Sequence, residues 1–286
     1  MASGEVQSVH VAGRTLRVSS LDKVIYPSRG TTKGEVLNYY VQIADRLLPQ
    51  LAGRPVTRIR WPHGVSGESF FEKNVPSGAP DWLPRVEIQG HGSRSGRTSV
   101  TYPLVEDLAG LVYLVNLGSL ELHVPQWRVD VHGVPQPPDR LVIDLDPGPG
   151  AGLAECATVA VLVRDRLSGA GLDCRPVTSG SKGMQLYADL DGVRTSDEVS
   201  AVTKALAQHL TEEHPDLVLW QMTKAKRGGK IFLDWSQNNA AKTTICPYSL
   251  RGREQPHAAA PRTWEEIEAA VAGREPLTQR PFRDLL

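Results

Sequence analysis

The chain has 286 residues, of which 40% are hydrophobic, so it is not a disordered chain and can form one large domain or two joined lobes. Lysine plus arginine and aspartate plus glutamate both total 32, which gives a formal net charge of zero. Bulk charge therefore neither favours nor excludes a polyanion as partner. Any affinity for nucleic acid must come from local clusters of basic residues.

The three cysteines, Cys156, Cys174 and Cys246, lie far apart in the sequence and form no CxxC or Cys/His cluster. This spacing indicates neither a zinc ribbon nor a disulfide framework, and it favours a reducing cytoplasm. No stretch approaches the ~20 apolar residues that a membrane-spanning helix needs, and the N-terminus has no apolar signal core. We expect a soluble, intracellular protein without a membrane partner.

The first hundred residues predict a small α/β arrangement. Residues 7–18 alternate around a glycine and predict a hairpin, and Thr32 begins an amphipathic helix that extends to about Leu48. Residues 54–61 predict a strand that carries three arginines. Residues 76–99 are rich in proline, glycine and serine, which predicts extended surface or a seam between lobes.

The rest of the chain alternates helical and strand periodicities. The predicted helices span residues 104–117, 153–168, 196–212 and 263–272, the last with a capping box formed by Thr263 and Glu266. The predicted strands span 120–124, 141–146, both sides of 179–183, 217–221 and 230–235. No GxGxxG or Walker motif follows a strand, so we expect a mixed α/β or α+β sheet with helices on one face.

Two aspartates end the apolar strand LVIDLDPG. Because side chains alternate along a strand, Asp144 and Asp146 emerge on one face roughly 7 Å apart, and Pro147 then ends the strand at an exposed rim. This geometry suits a hydrated Mg²⁺ or Mn²⁺ ion. The alternative is that Asp146 only begins a turn, since aspartate before proline and glycine is ordinary turn chemistry.

Three further features could serve the same chemistry. Asp234 ends the strand KIFLD and would supply a third carboxylate for a two-metal site, or it could cap or pair locally. The segment TSGSKG offers hydroxyls, free backbone amides and the ammonium of Lys182 to a phosphate, or it is simply a flexible turn. His123 could reach a phosphate, although a lone strand histidine is more often structural.

Basic residues cluster in three places, and each cluster is either a solvated face or part of a positive groove for a polyanion. Aromatic groups nearby, notably Phe70, Phe71 and Trp235, could stack on bases. The clusters are Arg54, Arg58 and Arg60; Lys224, Lys226, Arg227 and Lys230; and Lys242, Arg251 and Arg253.

Taken in order, these and other segments resemble one family, the polymerase domain of bacterial ligase D, within the archaeo-eukaryotic primase superfamily. The segments that carry the resemblance are LDKVIYPSRGTTKGEVLNYY, RWPHG, FFEKNVPSGAPDWL, LELHVPQWR, LVIDLDPG, TSGSKGMQLY, KIFLDWSQN and PYSLRGR. The resemblance implies an α+β, primase-like fold in a single domain, 1–286. Within it, residues 1–100 would form a smaller N-terminal α/β part and residues 101–286 a catalytic part with an RRM-like sheet.

The resemblance also implies a role for particular residues. Two Mn²⁺ or Mg²⁺ ions would be held by Asp144, Asp146 and Asp234. The incoming NTP or dNTP would be contacted by His123, Ser179, Lys182, Gln237 and Arg251. DNA would be contacted by Lys23 and Lys33 at a downstream 5′-phosphate, by Phe70 and Phe71 at the template, and by Arg58 or Arg60, because Ile59 stands where the family has a basic residue.

The implied activity is template-dependent addition of nucleotides to DNA 3′ ends and short gaps, as a polymerase or primase in nonhomologous end joining. The implied partners are DNA ends and gaps bearing a 5′-phosphate, Ku and a DNA ligase, with the protein a monomer at the bacterial nucleoid. Two other functions remain open from the residues. One is a DxD phosphohydrolase or sugar-nucleotide transferase, and the other is a non-catalytic scaffold that binds DNA ends.

Overall fold

The computed structural model describes residues 6–89 and 99–286. Within these ranges the α-helices are α1 Lys33–Gln42, α2 Ala44–Leu51, α3 Leu108–Asn116, α4 Leu153–Gly169, α5 Ser196–Glu213 and α6 Trp264–Val271. The strands are β1 Val6–Val11, β2 Arg14–Ser19, β3 Val24–Tyr26, β4 Thr31–Thr32, β5 Thr57–Arg60, β6 Phe70–Glu72, β7 Arg85–Gln89, β8 Ser99–Pro103, β9 Ser119–Val124, β10 Arg140–Pro147, β11 Cys174–Thr178, β12 Met184–Asp189, β13 Val218–Leu219, β14 Ile231–Asp234, β15 Thr244–Ile245 and β16 Ala260–Pro261.

A six-stranded sheet, in the order β13-β14-β10-β12-β11-β16, forms the centre of the second half. Only β13 and β14 pair in parallel, so the sheet is mostly antiparallel and not doubly wound. Helices α4, α5 and α6 pack on one face, where they share a hydrophobic cluster with Leu141, Ile143 and Leu145 of β10. The mixed α+β sheet with helices on one face is confirmed.

A second sheet, in the order β15-β9-β5-β6, lies with α1, α2 and α3 around another hydrophobic cluster. That cluster draws on residues between 16 and 124, and also on Cys246 and five residues that follow it. The end of the chain therefore returns to pack against its beginning. The division of the chain at residue 100 stays a prediction.

Local sequence signals set the starts of four helices. Thr32, Thr195 and Thr263 each accept a hydrogen bond from the amide three residues on, where a glutamate completes a capping box. The predicted helix 32–48 is interrupted at Ile43, which ends α1 and begins α2. The helix predicted from residue 104 begins at Leu108, because the Asp107 side chain accepts from the Gly110 amide and caps it there.

Two other sequence expectations concern this part of the chain. The predicted hairpin is present as β1 and β2. The segment 76–99 includes β7 and the first residue of β8, which pair with each other, and residues 90–98 lie outside the described ranges. Among the helices of the described residues, none is both long and apolar enough to cross a membrane.

Candidate active site at the rim of the central sheet

The three aspartates meet on one face of the central sheet. Asp144 on β10 stands directly across from Asp234 on β14, and Asp146 stands across from Phe232. Side chains directly opposite each other across strands share a face, with Cβ atoms about 5 Å apart. Leu145 points to the opposite face and joins the helix-covered cluster. As the sequence predicts, β10 presents the carboxylates of Asp144 and Asp146 on one face. This face lies away from the helices.

The carboxylates repel one another. Burial, together with the charges of Asp234 and then Asp146, raises the pKa of Asp144 to about 7, although Gln185 donates a hydrogen bond to it. Gln185 lies across from Asp144 on the other neighbouring strand, β12. A carboxyl group with such a pKa is poised to give up its proton when a cation arrives, since the cation favours the charged form.

The other two carboxylates have protein partners. Asp146 Oδ2 lies 3.0 Å from Arg227 Nη1. Asp234 Oδ1 accepts from the amide and hydroxyl of Ser236, and its Oδ2 accepts from Gln237 Nε2 at 2.9 Å. Asp234 therefore does cap a short 3₁₀ helix, Trp235–Asn238. The capping alternative for Asp234 is observed, and its role as a metal ligand stays a prediction.

The donor set fits a hard divalent cation in its chemistry. Carboxylate oxygens are the ligands that Mg²⁺ prefers, and the charges of Asp234 and Asp146 add to burial in raising the pKa of Asp144. In residues 6–89 and 99–286, however, no group of three or more acidic, histidine or cysteine side chains is gathered as a ready-made metal site. Asp146 would have to release Arg227 to join a metal.

A buried ionic network lies beside this rim. His123 Nε2 lies 2.8 Å from Glu121 Oε2, and Arg251 Nη1 lies 3.0 Å from the same oxygen. Burial opposes ionisation of Glu121, but the bond from His123 and the charge of Arg251 lower its pKa to about 2. Burial lowers the pKa of His123, only partly offset by Glu121. The network thus holds a fixed glutamate charge between the two basic side chains.

Arg251 connects this network to the TSGSKG segment. Its Nε donates to the carbonyl of Ser179 at 2.8 Å, so Glu121 of the second sheet is joined to the turn between β11 and β12. Arg251 and Asp144 are also close enough for the arginine charge to oppose the rise in the Asp144 pKa. His123, Ser179 and Arg251 are therefore brought together next to the aspartates.

The turn itself differs from its prediction in one respect. The backbone amides of Ser179, Gly180 and Ser181 were expected to be free, but they donate to the Gly183 carbonyl, the Gln279 side chain and the Ser179 hydroxyl. These contacts hold the turn in a defined conformation, with Lys182 exposed at its tip. The Lys182 ammonium and the hydroxyls remain the groups that a phosphate could meet.

Lys23 and Lys33 lie side by side, away from the aspartate rim. The Lys33 amide donates to the Lys23 carbonyl, and the buried Lys33 ammonium donates to Ser19 O at 2.7 Å and to Asn116 Oδ1 at 2.8 Å. Lys23 Nζ donates to Pro62 O at 3.0 Å. Burial and then the charge of Lys23 lower the pKa of Lys33 to about 8. Neither ammonium group has a carboxylate partner in the described ion pairs, so an anion between them would favour the charged form of both. Binding of a 5′-phosphate here stays a prediction.

The arginines of β5 are held by an acidic residue of β6. Glu72 accepts from Arg58 at 2.8 Å and from Arg60 at 2.6 Å. The Arg58 side chain is fully buried, so a direct contact with DNA would require Glu72 and the Asn74 carbonyl to release it. Phe70 and Phe71 are exposed at 40% and 60%, beside Arg60. Contacts of all four with DNA stay predictions.

Sequence reasoning did not place three residues at the predicted site that touch it in the structure. Glu121 anchors His123 and Arg251, Gln185 bonds Asp144, and Arg227 pairs with Asp146. Glu121 shares the β9 face with His123, and Arg227 belongs to a recognised basic cluster. Nothing in the local sequence indicates which partner Glu121 or Arg227 would contact.

The sequence and the fold both match one known family. Residues 32–282 match the family model described as the LigD primase-polymerase domain. The chain therefore belongs to the LigD primase-polymerase domain family.

Two curated relatives and one solved structure illustrate the similarity. The chain is 50% identical over 252 residues to the multifunctional non-homologous end joining protein LigD of Mycolicibacterium smegmatis, covering 88% of this chain and 32% of that protein. It is 35% identical over 257 residues to the bifunctional LigD of Bacillus subtilis, covering 90% and 40%. The chain thus spans about a third of the length of the Mycolicibacterium relative.

The solved structure is the polymerase domain from Mycobacterium tuberculosis ligase D in complex with DNA. It matches with a TM-score of 0.87 and 45% sequence identity, over 94% of this chain and 92% of that one. At this identity and coverage, the similarity extends through the central sheet and the second sheet together. The primase-like fold expected from the sequence is confirmed.

Proposed function

We propose that this protein is a template-dependent nucleotidyltransferase that adds NTPs or dNTPs to DNA 3′ ends and short gaps during nonhomologous end joining. The observation that carries the proposal is the position of Asp144, directly across from Asp234 and next to the network of His123, Arg251 and Ser179. Negative charge for a metal thus lies beside positive charge for a triphosphate. Nucleotide transfer requires both.

Asp144, Asp146 and Asp234 would hold two divalent ions, Mn²⁺ or Mg²⁺. Bound there, the ions would lower the pKa of the primer 3′-hydroxyl and balance the charge of the transferring phosphate. The protein's own contribution is to fix the carboxylates on adjacent strands, with Gln185 orienting Asp144 and Gln237 orienting Asp234. No side-chain base is required by this arrangement.

The triphosphate would bind between the turn and the ionic network. Lys182 at the tip of the turn supplies a point charge, and Arg251 supplies a guanidinium whose orientation is set by Glu121 and Ser179. Burial lowers the pKa of His123, and its Nε2 lies 2.8 Å from Glu121 Oε2. His123 would contact the triphosphate by turning this N–H from Glu121 to a phosphate oxygen. Gln237 and Ser179 complete the proposed nucleotide contacts. The primer 3′-hydroxyl would attack the α-phosphate, and pyrophosphate would leave past Lys182 and Arg251.

DNA ends with a 5′-phosphate would bind at the lysine pair. The 5′-phosphate would relieve the repulsion between Lys23 and Lys33 and hold the downstream strand of a gap. Phe70, Phe71 and Arg60 would contact the template strand. Ku and a separate or fused DNA ligase are proposed as partners, and the bacterial nucleoid as the place of action.

The preference for 5′-phosphorylated DNA is expected to weaken as the pH rises through about 8 and beyond. Lys33 is charged below its pKa of about 8 and neutral above it, while a phosphate monoester stays dianionic throughout this range. Bound phosphate favours the charged amine, so the midpoint in the complex should lie above that of the free protein. Fluorescence anisotropy of gapped duplexes with and without the 5′-phosphate, from pH 7 to 10, measures the preference. A preference that stays constant in wild type, or that persists in Lys33→Met, would contradict the assignment.

Phe71→Ala is expected to weaken binding of a gapped duplex with an unpaired template base by about tenfold. Stacking of one base on an aromatic ring contributes roughly 1–3 kcal/mol, and the ring is 60% exposed and available for it. The thermal midpoint should not change, because little buried area is lost. Val131→Ala, at an exposed site elsewhere, is the matched control. Equal loss in both variants, or none in Phe71→Ala, would remove Phe71 from the template site.

The lysine pair alone would also suit a scaffold that binds DNA ends without chemistry, and a DxD phosphohydrolase would use only the aspartates. Incubating a gapped duplex with labelled NTP or dNTP and Mn²⁺ separates these functions. We expect extension of the 3′ end that is stimulated by the 5′-phosphate. A phosphate effect on binding without extension would favour the scaffold. Release of phosphate from nucleotides without DNA would favour the hydrolase.

A further inference from the structure

A second cluster of basic residues lies at the opposite end of β10 from the aspartates. It lines a cavity of about 210 Å³ that opens to the surface. Part of its wall is Tyr248, whose φ of 72° lies in the left-handed region that bulky residues rarely adopt. Such strain is found preferentially at ligand-binding sites. We call this cavity the arginine pocket, and its charged lining residues are Arg54, Arg128, Arg140, Arg175, Asp139 and Asp189.

The pocket carries more positive than negative charge. Asp139 accepts from both Arg54 and Arg128. Asp189 accepts from both terminal nitrogens of Arg175, at 2.6 and 2.9 Å. The pocket thus holds four guanidinium groups and two carboxylates.

Arg140 has no carboxylate partner among the described residues. Its Nε donates to Gln126 Oε1 at 2.8 Å and its Nη1 donates to Gln50 Oε1 at 3.3 Å, while the guanidinium lies 5.1 Å from the ring centre of Tyr187. All three partners are neutral. A buried arginine normally pairs with an acidic residue. The positive charge of Arg140 therefore calls for a negative group that comes from outside the chain.

Two buried donors in the pocket lack a hydrogen-bond partner. Arg54 is 1% exposed and Arg140 is 5% exposed, yet Arg54 Nε and Arg140 Nη2 donate to no atom of the described chain. Burial and then the charge of Arg140 lower the pKa of Arg54 to about 10. Unsatisfied buried donors of this kind are rare in native proteins, and a ligand is one of the things that satisfies them.

We propose that the arginine pocket binds a phosphate-bearing anion. Guanidinium groups form charge-assisted, often paired hydrogen bonds with phosphate oxygens, and the half-exposed Arg128 and Arg175 would donate to those oxygens. Arg54 Nε and Arg140 Nη2 would join them after a shift of the surrounding side chains. The anion would also balance the excess charge of the four arginines. The cavity is large enough for one phosphate group and the atoms bonded to it.

This site is separate from the proposed nucleotide site. Arg140 precedes Asp144 by four residues on the same face of β10, a distance of about 13 Å along the strand. Val142 and Tyr187, which are paired across β10 and β12, lie between them in a small buried apolar cluster. The two phosphate sites would therefore be occupied independently, by a free nucleotide or pyrophosphate at one and a nucleic-acid backbone phosphate or a second free anion at the other.

Calorimetric titration with inorganic pyrophosphate in EDTA tests the proposal. The background is the full chain with Lys23→Ala and Lys182→Ala, which removes one lysine from each of the other proposed phosphate sites. We expect one binding event in this background. Arg175→Ala, at an exposed residue, and Arg140→Met, which keeps the length of the side chain, should each weaken it about tenfold or more, the effect of losing one charged contact. Arg274→Ala, an exposed arginine elsewhere, should leave the affinity unchanged.

The outcomes decide both the site and its ligand. Absence of binding in the background, or affinities that neither Arg175→Ala nor Arg140→Met reduces, would overturn the proposal. If Arg140→Met fails to fold, Arg175→Ala decides alone. Competition with an oligothymidylate that lacks a 5′-phosphate identifies the source. Displacement of pyrophosphate by the oligonucleotide assigns the pocket to a nucleic-acid backbone, and displacement by ATP alone assigns it to free nucleotides.

Discussion

Asp144→Asn is expected to lower nucleotide addition by about a thousandfold or more while leaving DNA affinity unchanged. The substitution keeps the size and the hydrogen bond to Gln185 but removes the charge that would hold a divalent ion. Loss of several kcal/mol of charge stabilisation in the transition state corresponds to a factor of this size. Single-turnover extension of a gapped duplex measures the rate, and fluorescence anisotropy measures the affinity.

The same substitution should stabilise the protein when metal is absent. The folded pKa of Asp144 is about 7, above the ordinary value of 3.8, so the folded state binds the extra proton between these values. Stability contributed by this group therefore falls as pH rises from about 4 to 7 and stays low above 7. Asp144→Asn should remove that fall and raise the free energy of unfolding at pH 7.5 by about 1–2 kcal/mol, after allowance for solvent screening.

The exposed residue Asp173 provides a matched control for both effects. Asp173→Asn should leave extension, DNA affinity and the pH dependence of stability as in wild type. Wild-type extension by Asp144→Asn would exclude Asp144 from catalysis. Loss of extension with an equal loss in Asp173→Asn would point to a general effect of the substitution.

Gly183→Ala is expected to destabilise the fold by about 3 kcal/mol or more and to disrupt the turn that carries Lys182. A Cβ atom at residue 183 would lie 2.0 Å from the Leu145 carbonyl oxygen and 2.9 Å from Pro147 Cδ. Both belong to β10, so neither can move without shifting the strand that carries the aspartates. Overpacking against backbone costs roughly this amount or more. Urea denaturation gives the free energy of unfolding, and nucleotide affinity should fall with it.

Gly169→Ala is the control for this prediction. Gly169 ends α4, and a Cβ atom there would meet nothing within 4 Å. Alanine has the higher helix propensity, so stability should be unchanged or slightly raised. A Gly183→Ala protein as stable as wild type would show that the turn does not approach β10 as closely as described.

Local sequence signals predicted the elements that depend on neighbours along the chain. Threonine caps set the starts of three helices, and the alternation of apolar residues in LVIDLD placed both aspartates on one face. Each of these features depends on residues at most four positions apart. The same reasoning predicted the mixed sheet, because helices and strands alternate through the second half.

Contacts between distant segments could not be predicted in this way. Asp234 reaches Asp144 only because β14 pairs with β10, and no pattern in either strand specifies that pairing. The ion pair of Asp146 with Arg227 joins residues 81 positions apart. Arg58 was expected to face DNA, but it stands opposite Leu122 of β9, and its side chain is buried with Glu72. Its contact with DNA stays a prediction.

The arginine pocket illustrates the same point. Arg54, which the sequence groups with Arg58 and Arg60, instead shares Asp139 with Arg128. Arg140 immediately precedes the apolar strand and belongs to none of the basic clusters that the sequence shows. The fold brings these residues together because β10 begins where the chain returns from the second sheet, and the resulting cluster has more arginines than carboxylates.

The most direct test is the dependence of nucleotide addition on the templating base. A gapped duplex with a 5′-phosphate and one unpaired template base is incubated with Mn²⁺ and each of the NTPs and dNTPs in turn, for all four template bases. The protein should add the complementary nucleotide to the 3′ end in each case and release one pyrophosphate per addition, and Asp144→Asn should add it at a rate lower by about a thousandfold or more. Absence of addition, or addition that ignores the template base, would contradict a template-dependent nucleotidyltransferase at the aspartate rim.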